Sequence, residues 1–74
     1  MAEIKYEIVE EFGPISAPNN GYVKELNLIS WNDREPVFDL RSWREDHERM
    51  GKGITFTQAE AKALRDLLIG LPLD

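Results

Sequence analysis

The sequence predicts an α+β fold in which four antiparallel strands form one sheet and a single C-terminal helix follows, in the order β-β-β-β-α. Three observations predict this fold. Four short segments rich in β-branched and aromatic residues are separated by turn residues, a helix start signal occurs late in the chain, and an apolar stripe with helical spacing follows that signal. With 74 residues, the chain is expected to form one domain, residues 1–74.

The first strand is predicted over residues 4–12, because Ile4, Tyr6 and Ile8 alternate with polar residues. A period of two places these three side chains on one face of a strand, toward a core. Residues 13–14 are Gly-Pro and end the strand, and the turn residues that follow predict a loop before the next strand.

The second and third strands are predicted over residues 22–31 and 37–43. The polar residues 32–36 between them form a turn of hairpin length. We predict that this turn sets Trp31 opposite Val37, and that the hairpin register decides which side chains share a face.

A short fourth strand is predicted over residues 54–56, after a polar loop over 44–53 that contains two glycines. The clearest local signal follows, since Thr57 and Glu60 have the spacing of a capping box. A helix is therefore predicted over residues 58–69. Its apolar stripe is formed by Ala63, Leu64, Leu67, Leu68 and Leu71.

Composition limits the classes of function. The chain carries 9 Lys and Arg against 14 Asp and Glu, and its net charge of −5 argues against indiscriminate binding to duplex DNA. It has no Cys, which excludes disulfides and thiolate metal sites. No apolar run approaches the ~18 residues of a membrane span, and no signal-peptide pattern opens the sequence. We expect a cytoplasmic protein that does not bind membranes and that could associate with the nucleoid.

A chain of this size buries only a modest core, and association of two copies is the simplest way to bury more. We therefore expect a homodimer. The helix stripe is predicted to pack on its own sheet, while Leu71 and Leu73 are candidates for contact with the helix of a second subunit.

The predicted hairpin has two chemically different faces. The apolar face suits the helix stripe and carries Leu26, Leu28, Phe38 and Leu40. The opposite face carries Glu25, Asn27, Ile29, Trp31, Val37, Asp39, Arg41 and Trp43. Because exposed aromatic patches usually mark binding surfaces, we predict that both tryptophans lie exposed on this second face and form a binding site.

Unpaired nucleotides fit the Trp-bearing face. Indole rings stack on bases of any sequence, the guanidinium of Arg41 suits a phosphate or a base, and the amide of Asn27 donates and accepts at a base edge. Cations near the strand ends would neutralise the nucleic-acid backbone, namely Lys24, Arg34 and Lys52. The predicted ligand is single-stranded DNA, with RNA as the alternative, bound with little sequence preference.

Other interpretations of the same residues stay open at this point. Trp31 and Trp43 are ordinary packing residues if the loop over 13–21 or a dimer partner covers them. Arg41 beside Asp39 is then a surface salt bridge worth under ~1 kcal/mol. The Trp-bearing face could alternatively dock another protein, which makes the chain a protein-interaction module.

Several segments also resemble a known family over residues 3–70. They are Lys24-Glu25-Leu26-Asn27, Ser30-Trp31-Asn32-Asp33, Phe38-Asp39-Leu40-Arg41-Ser42-Trp43 and Met50-Gly51-Lys52-Gly53-Ile54-Thr55. Together they look like the bacterial YdbC-type branch of the transcriptional coactivator family called positive cofactor four. The resemblance implies a curved four-stranded antiparallel sheet, one helix, a symmetric dimer and binding of single-stranded DNA along the sheet, in transcription regulation or other DNA transactions.

The resemblance also implies which residues bind. The aromatic, basic and polar positions that bind DNA in that family match Lys24, Asn27, Trp31, Arg41, Trp43 and Lys52 of this sequence. Eukaryotic members carry extra basic residues where this chain has residues 32–35, and the Ser/Lys-rich regulatory tail of those members is absent here.

The remaining candidate clusters do not predict catalysis. Asp46, His47 and Glu48 are adjacent in a loop, and three adjacent residues cannot all point at one ion without unusual backbone geometry. The sequence has a single His and no Gly-rich turn between a strand and a helix. We therefore expect no enzyme activity, no bound metal and no cofactor.

Overall fold

The computed structural model describes residues 4–73 and shows one open, curved antiparallel sheet followed by a single helix. The strands lie in the sheet in chain order, so each pairs with its neighbour in sequence. The elements are β1 (Tyr6–Pro14), β2 (Tyr22–Trp31), β3 (Val37–Arg44), β4 (Met50–Phe56) and α1 (Gln58–Ile69). The predicted fold class is confirmed.

The start of β4 differs from the prediction. Residues 50–53 were expected to belong to a loop because of their glycines, but the strand begins at Met50. Gly53 pairs with Arg41, and a Cβ at position 53 would collide with the Arg41 Cβ and with the Leu40 carbonyl oxygen. Here glycine permits close approach of two strands rather than marking a turn.

The register of the central hairpin also differs from the prediction. Val37 pairs with Ile29 and not with Trp31, because the chain turns immediately after Trp31 and the Arg34 amide donates to the Trp31 carbonyl at 2.9 Å. The shift is two residues on β2. Because side chains alternate with a period of two, an even shift leaves each residue on its predicted face.

The sheet curls toward the side that carries the tryptophans. Tyr6 pairs with Trp31 at one end of β2, whereas Trp43 pairs with Val23 near the other end. Those two positions of β2 would be about 26 Å apart in a flat sheet. The Tyr6 and Trp43 ring centroids nevertheless lie 5.7 Å apart. Distant parts of the sheet therefore close over this concave side, which we call the inner face.

The inner face holds the core of the subunit. By the strand registers it carries Tyr6, Ile8, Glu11, Glu25, Asn27, Ile29, Trp31, Val37, Asp39, Arg41 and Trp43. Within residues 4–73, the fully buried side chains are Asn27, Ile29, Asp39 and Trp43. The expectation that this face is open is wrong for these residues, because the curl of the sheet covers them with other side chains of the same face.

The opposite side of the sheet, the outer face, is apolar and poorly covered. Phe38 stacks between Phe12 and Phe56 with ring centroids 5.8 Å from each. On the same side, 61% of Ile54 is exposed. The residues of this face are Phe12, Leu26, Leu28, Phe38, Leu40, Ile54 and Phe56.

The helix α1 leaves the outer face largely uncovered. It contacts the sheet mainly through β3, and none of its 12 residues is fully buried. An apolar groove runs between α1 and the sheet, and Leu64 and Leu68 line it. Leu67, predicted to pack on the hairpin, is 69% exposed. The predicted packing of the helix stripe on its own sheet is therefore wrong for Leu67 and only partial for Leu64 and Leu68.

The start of α1 follows its local sequence signal. The Thr57 hydroxyl accepts from the Glu60 amide at 3.1 Å, and the Glu60 carboxylate accepts from the Thr57 amide at 2.8 Å. This capping box confirms the predicted helix start. Among residues 4–73, no helix combines the length and the apolar character needed to cross a bilayer.

Candidate nucleic-acid interface

Trp31 and Arg41 form a stacked pair at the mouth of the inner face. Trp31 ends β2 and is half-buried, and the Arg41 guanidinium carbon lies 4.8 Å from the centroid of the Trp31 ring. This is the distance of a cation–π contact. The arrangement presents an aromatic ring and a cation side by side.

A buried carboxylate holds Arg41 in place. Asp39 is fully buried two residues before Arg41, and its Oδ1 accepts from Arg41 Nε at 2.7 Å. The Arg41 side chain is itself only 14% exposed. The pair is therefore not the surface salt bridge that the sequence left open. Since a hydrogen-bonded buried ion pair has few alternative arrangements, it fixes the guanidinium against Trp31.

Trp43 lies on the same face, two residues after Arg41 on β3. The prediction that its indole is exposed is wrong, because the side chain is fully buried. This burial is complete within one subunit, without a second copy. Tyr6 from β1 and His47 from the turn after β3 contact the indole, each with a ring centroid at 5.7 Å. Trp43 therefore supports the inner face as a core residue.

Asn27 is also buried, at the centre of the inner face, and its Nδ2 donates to Glu25 Oε1 at 3.3 Å. Four buried polar atoms lack a hydrogen-bond partner among residues 4–73: Asn27 Oδ1, Trp31 Nε1, Asp39 Oδ2 and Trp43 Nε1. All four belong to the inner face. Because an unpaired buried polar group costs about 1–3 kcal/mol, these four atoms are a local cost to the stability of the inner face.

The predicted cations occupy different parts of the molecule. Arg34 lines a shallow pocket together with Trp31 and Arg41. Lys52 is exposed on β4, within the bulge between the Arg41–Gly53 and Trp43–Met50 pairs. Lys24 alternates with the inner-face residues of β2 and pairs with Ser42, so it belongs to the opposite side of the sheet. The structure brings Asn27, Trp31, Arg41 and Trp43 together and separates Lys24 from them.

Sequence reasoning missed two residues of this site. Tyr6 contacts both tryptophans, with its ring centroid 5.6 Å from that of Trp31. The alternation of β1 placed Tyr6 toward a core, but only the β1–β2 register shows which core. Asp39 was assigned to the correct face, but its anchoring role depends on burial, which alternation does not report.

The fold and this site define a class: a single curved antiparallel sheet followed by one helix, with two tryptophans and one arginine held by a buried aspartate on the concave face. Residues 19–67 match the family model described as Transcriptional Coactivator p15 (PC4). An uncharacterized protein of Treponema pallidum (strain Nichols) is 46% identical over 72 residues, which cover 97% of this chain and 85% of that protein. The chain belongs to the PC4 family, a family of DNA-binding coactivators rather than of enzymes. The predicted resemblance is confirmed, and the bacterial relative agrees with a bacterial branch.

Proposed function

We propose that the protein binds single-stranded DNA on its inner face with little sequence preference, in the service of transcription regulation or other DNA transactions. The observation that carries the proposal is the stacking of Arg41 on the half-buried Trp31 at the mouth of this face. An unstacked base can lie on the indole, and the guanidinium can contact a base or a phosphate. Duplex DNA keeps its base faces inside the stack, so this chemistry selects single strands.

The cations that serve this site are local, because the whole chain is acidic with a net charge of −5. Arg34 shares the pocket of Trp31 and Arg41, and Lys52 is exposed on the edge strand next to Arg41's partner Gly53. In the proposed complex both contact phosphates, whereas the fully buried Asn27 and Trp43 support the floor of the inner face. The position of Lys24 on the other side of the sheet does not support its predicted part in the same site.

A fluorescence titration tests the proposal. Addition of an oligo-dT strand to the protein should quench the indole emission of Trp31, and the midpoint should move to higher oligonucleotide concentration as salt is raised. A Trp31→Phe variant retains Trp43 as its single indole and should show little quenching while a labelled oligo-dT still binds. If wild-type emission and the anisotropy of the labelled strand both stay constant, the inner face does not bind single strands, and docking of another protein becomes the better interpretation.

We further propose that two copies associate through their outer faces and helices. The apolar groove beside α1 and the exposed side chains Ile54 and Leu67 together form an uncovered apolar surface. Uncovered patches of this kind mark association surfaces in small domains. Self-association through one repeated surface gives a two-fold dimer and leaves the inner faces of both copies accessible.

A Leu67→Glu variant should be monomeric, or dissociate at much higher protein concentration than the wild type, because the new carboxylate would be buried in the proposed interface. Analytical ultracentrifugation over a concentration series measures this change. Lys62→Glu is the matched control, since it places the same carboxylate on the polar side of α1. A wild-type protein that sediments as a monomer throughout the series would contradict the proposed dimer.

A further inference from the structure

Three potential metal ligands from distant parts of the chain meet at one edge of the inner face. Glu11 lies on β1, Glu25 on β2 and His47 in the turn between β3 and β4. Their ligand atoms all lie within 4.8 Å of one another. His47 Nε2 lies 2.9 Å from Glu25 Oε1 and 3.2 Å from Glu25 Oε2, so the imidazole is already directed at that carboxylate.

A buried amide lies beside this cluster. Asn27 pairs with Glu11 across β1 and β2, and its amide nitrogen contacts Glu25 Oε1 at 3.3 Å. The side chain is fully buried, and its Oδ1 has no partner among residues 4–73. The amide nitrogen therefore faces the cluster as a hydrogen-bond donor and holds the Glu25 carboxylate in place. Asn27 is a positioning residue for Glu25 rather than a ligand.

We propose that Glu11, Glu25 and His47 bind one divalent transition-metal ion, with Zn²⁺ as the best fit. An imidazole together with carboxylates suits Zn²⁺, whereas Ca²⁺ and Mg²⁺ prefer sites made of oxygen atoms alone. Two carboxylates also balance the charge of a divalent cation. A water molecule completes a tetrahedral set.

The geometry needs only a small adjustment. Zn–N and Zn–O bonds of about 2.1 Å place neighbouring tetrahedral ligands about 3.4 Å apart. The contacts between His47 and Glu25 are already that close. Glu11 is exposed, so its side chain is free to move toward the other two and leaves a path from solvent to the ion.

A bound ion would tie β1, β2 and the β3–β4 turn together. The same turn places His47 against Trp43, so the ion would also hold one of the covers of the subunit core. Because the ion binds the folded arrangement and an unfolded chain does not bring these residues together, binding should raise the thermal midpoint of unfolding. None of these steps involves nucleic acid.

The test is isothermal titration calorimetry of the full chain, with any histidine tag removed, against ZnCl₂ in a buffer that does not chelate metals. We expect saturable binding of one Zn²⁺ per chain and a rise in the thermal midpoint on addition of Zn²⁺. Two variants should each weaken Zn²⁺ binding by at least about tenfold. One is Glu11→Gln, at an exposed position, and the other is His47→Gln, which keeps a hydrogen-bond donor near Glu25.

Glu10→Gln is the matched control, because Glu10 is also an exposed carboxylate of β1 but pairs with Leu28 on the other side of the sheet. It should bind Zn²⁺ like the wild type. Circular dichroism checks that each variant is folded. If His47→Gln does not fold, Glu11→Gln still provides the test, because Glu11 is exposed. The proposal is overturned if the wild type shows no saturable binding, if a folded ligand variant keeps wild-type affinity, or if Glu10→Gln loses as much affinity as the ligand variants. Since no oligonucleotide is present, these outcomes are separate from those that test single-strand binding.

Discussion

Replacement of Trp43 with alanine should lower the free energy of unfolding by about 3–5 kcal/mol, the usual cost of truncating a buried Trp side chain. The indole is fully buried and contacts Tyr6 and His47, which close the inner face over it. A domain of this size has a total stability of only about 4–11 kcal/mol. The variant should therefore be marginally folded or unfolded at ambient temperature, in contrast to the sequence-based prediction that Trp43 acts as an exposed binding residue.

Denaturant unfolding followed by circular dichroism, at one fixed protein concentration, measures this loss. Trp43→Phe is the graded variant: it keeps an aromatic ring in the core and should unfold at a midpoint between those of the wild type and the alanine variant. Trp31→Ala is the comparison at a half-buried position and should be less destabilising. An alanine variant of Trp43 with the wild-type midpoint would mean that the indole does not contribute to the core.

Replacement of Trp31 with alanine should weaken binding of single-stranded DNA by about 1–3 kcal/mol, a factor of about 5 to 150 in Kd. Two contacts are lost together. The base loses the ring on which it stacks, and Arg41 loses the aromatic face at 4.8 Å that helps to orient its guanidinium. Fluorescence anisotropy of a labelled oligo-dT strand, at one stated salt concentration, measures the change.

Trp31→Phe provides the control for this second experiment, because a phenyl ring keeps a face for stacking and for the cation. It should bind much more tightly than the alanine variant. Circular dichroism of both variants separates loss of binding from loss of fold. Equal affinities of the wild type and the alanine variant would remove Trp31 from the proposed site, whatever the fold of the chain.

The local parts of this structure follow from the local sequence. The capping box at Thr57 satisfies the first amides of α1 without help from the rest of the chain, so the helix begins where the motif places it. Alternation along β2 and β3 assigns each side chain to a face, and that assignment survives a wrong register because the error was two residues. The strand β4 was misjudged at Gly53, since a glycine required for close approach has the same sequence signal as a glycine in a turn.

The candidate site was predicted only in part. The sequence placed Trp31, Trp43, Asn27 and Arg41 on one face, and the structure brings them together. It did not predict which of them are covered, because exposure depends on how far the sheet curls and on what β1 brings over the same face. Tyr6 reaches Trp43 only through that curl. Alternation along β2 already places Lys24 on the opposite side of the sheet. The prediction instead assigned Lys24 to the site because it lies near the end of the strand.

By itself, the sequence determined the order of the elements, the start of the helix, the composition of the two sheet faces and the family to which the chain belongs. Only the tertiary structure decided that Trp43 is core while Trp31 remains half-buried, and that His47 in the β3–β4 turn meets Glu11 of β1 and Glu25 of β2. The physical reason is the distance along the chain over which each interaction acts. Capping and alternation act between residues a few positions apart, whereas burial and ligand clusters depend on strand registers and sheet curvature that bring distant segments into contact.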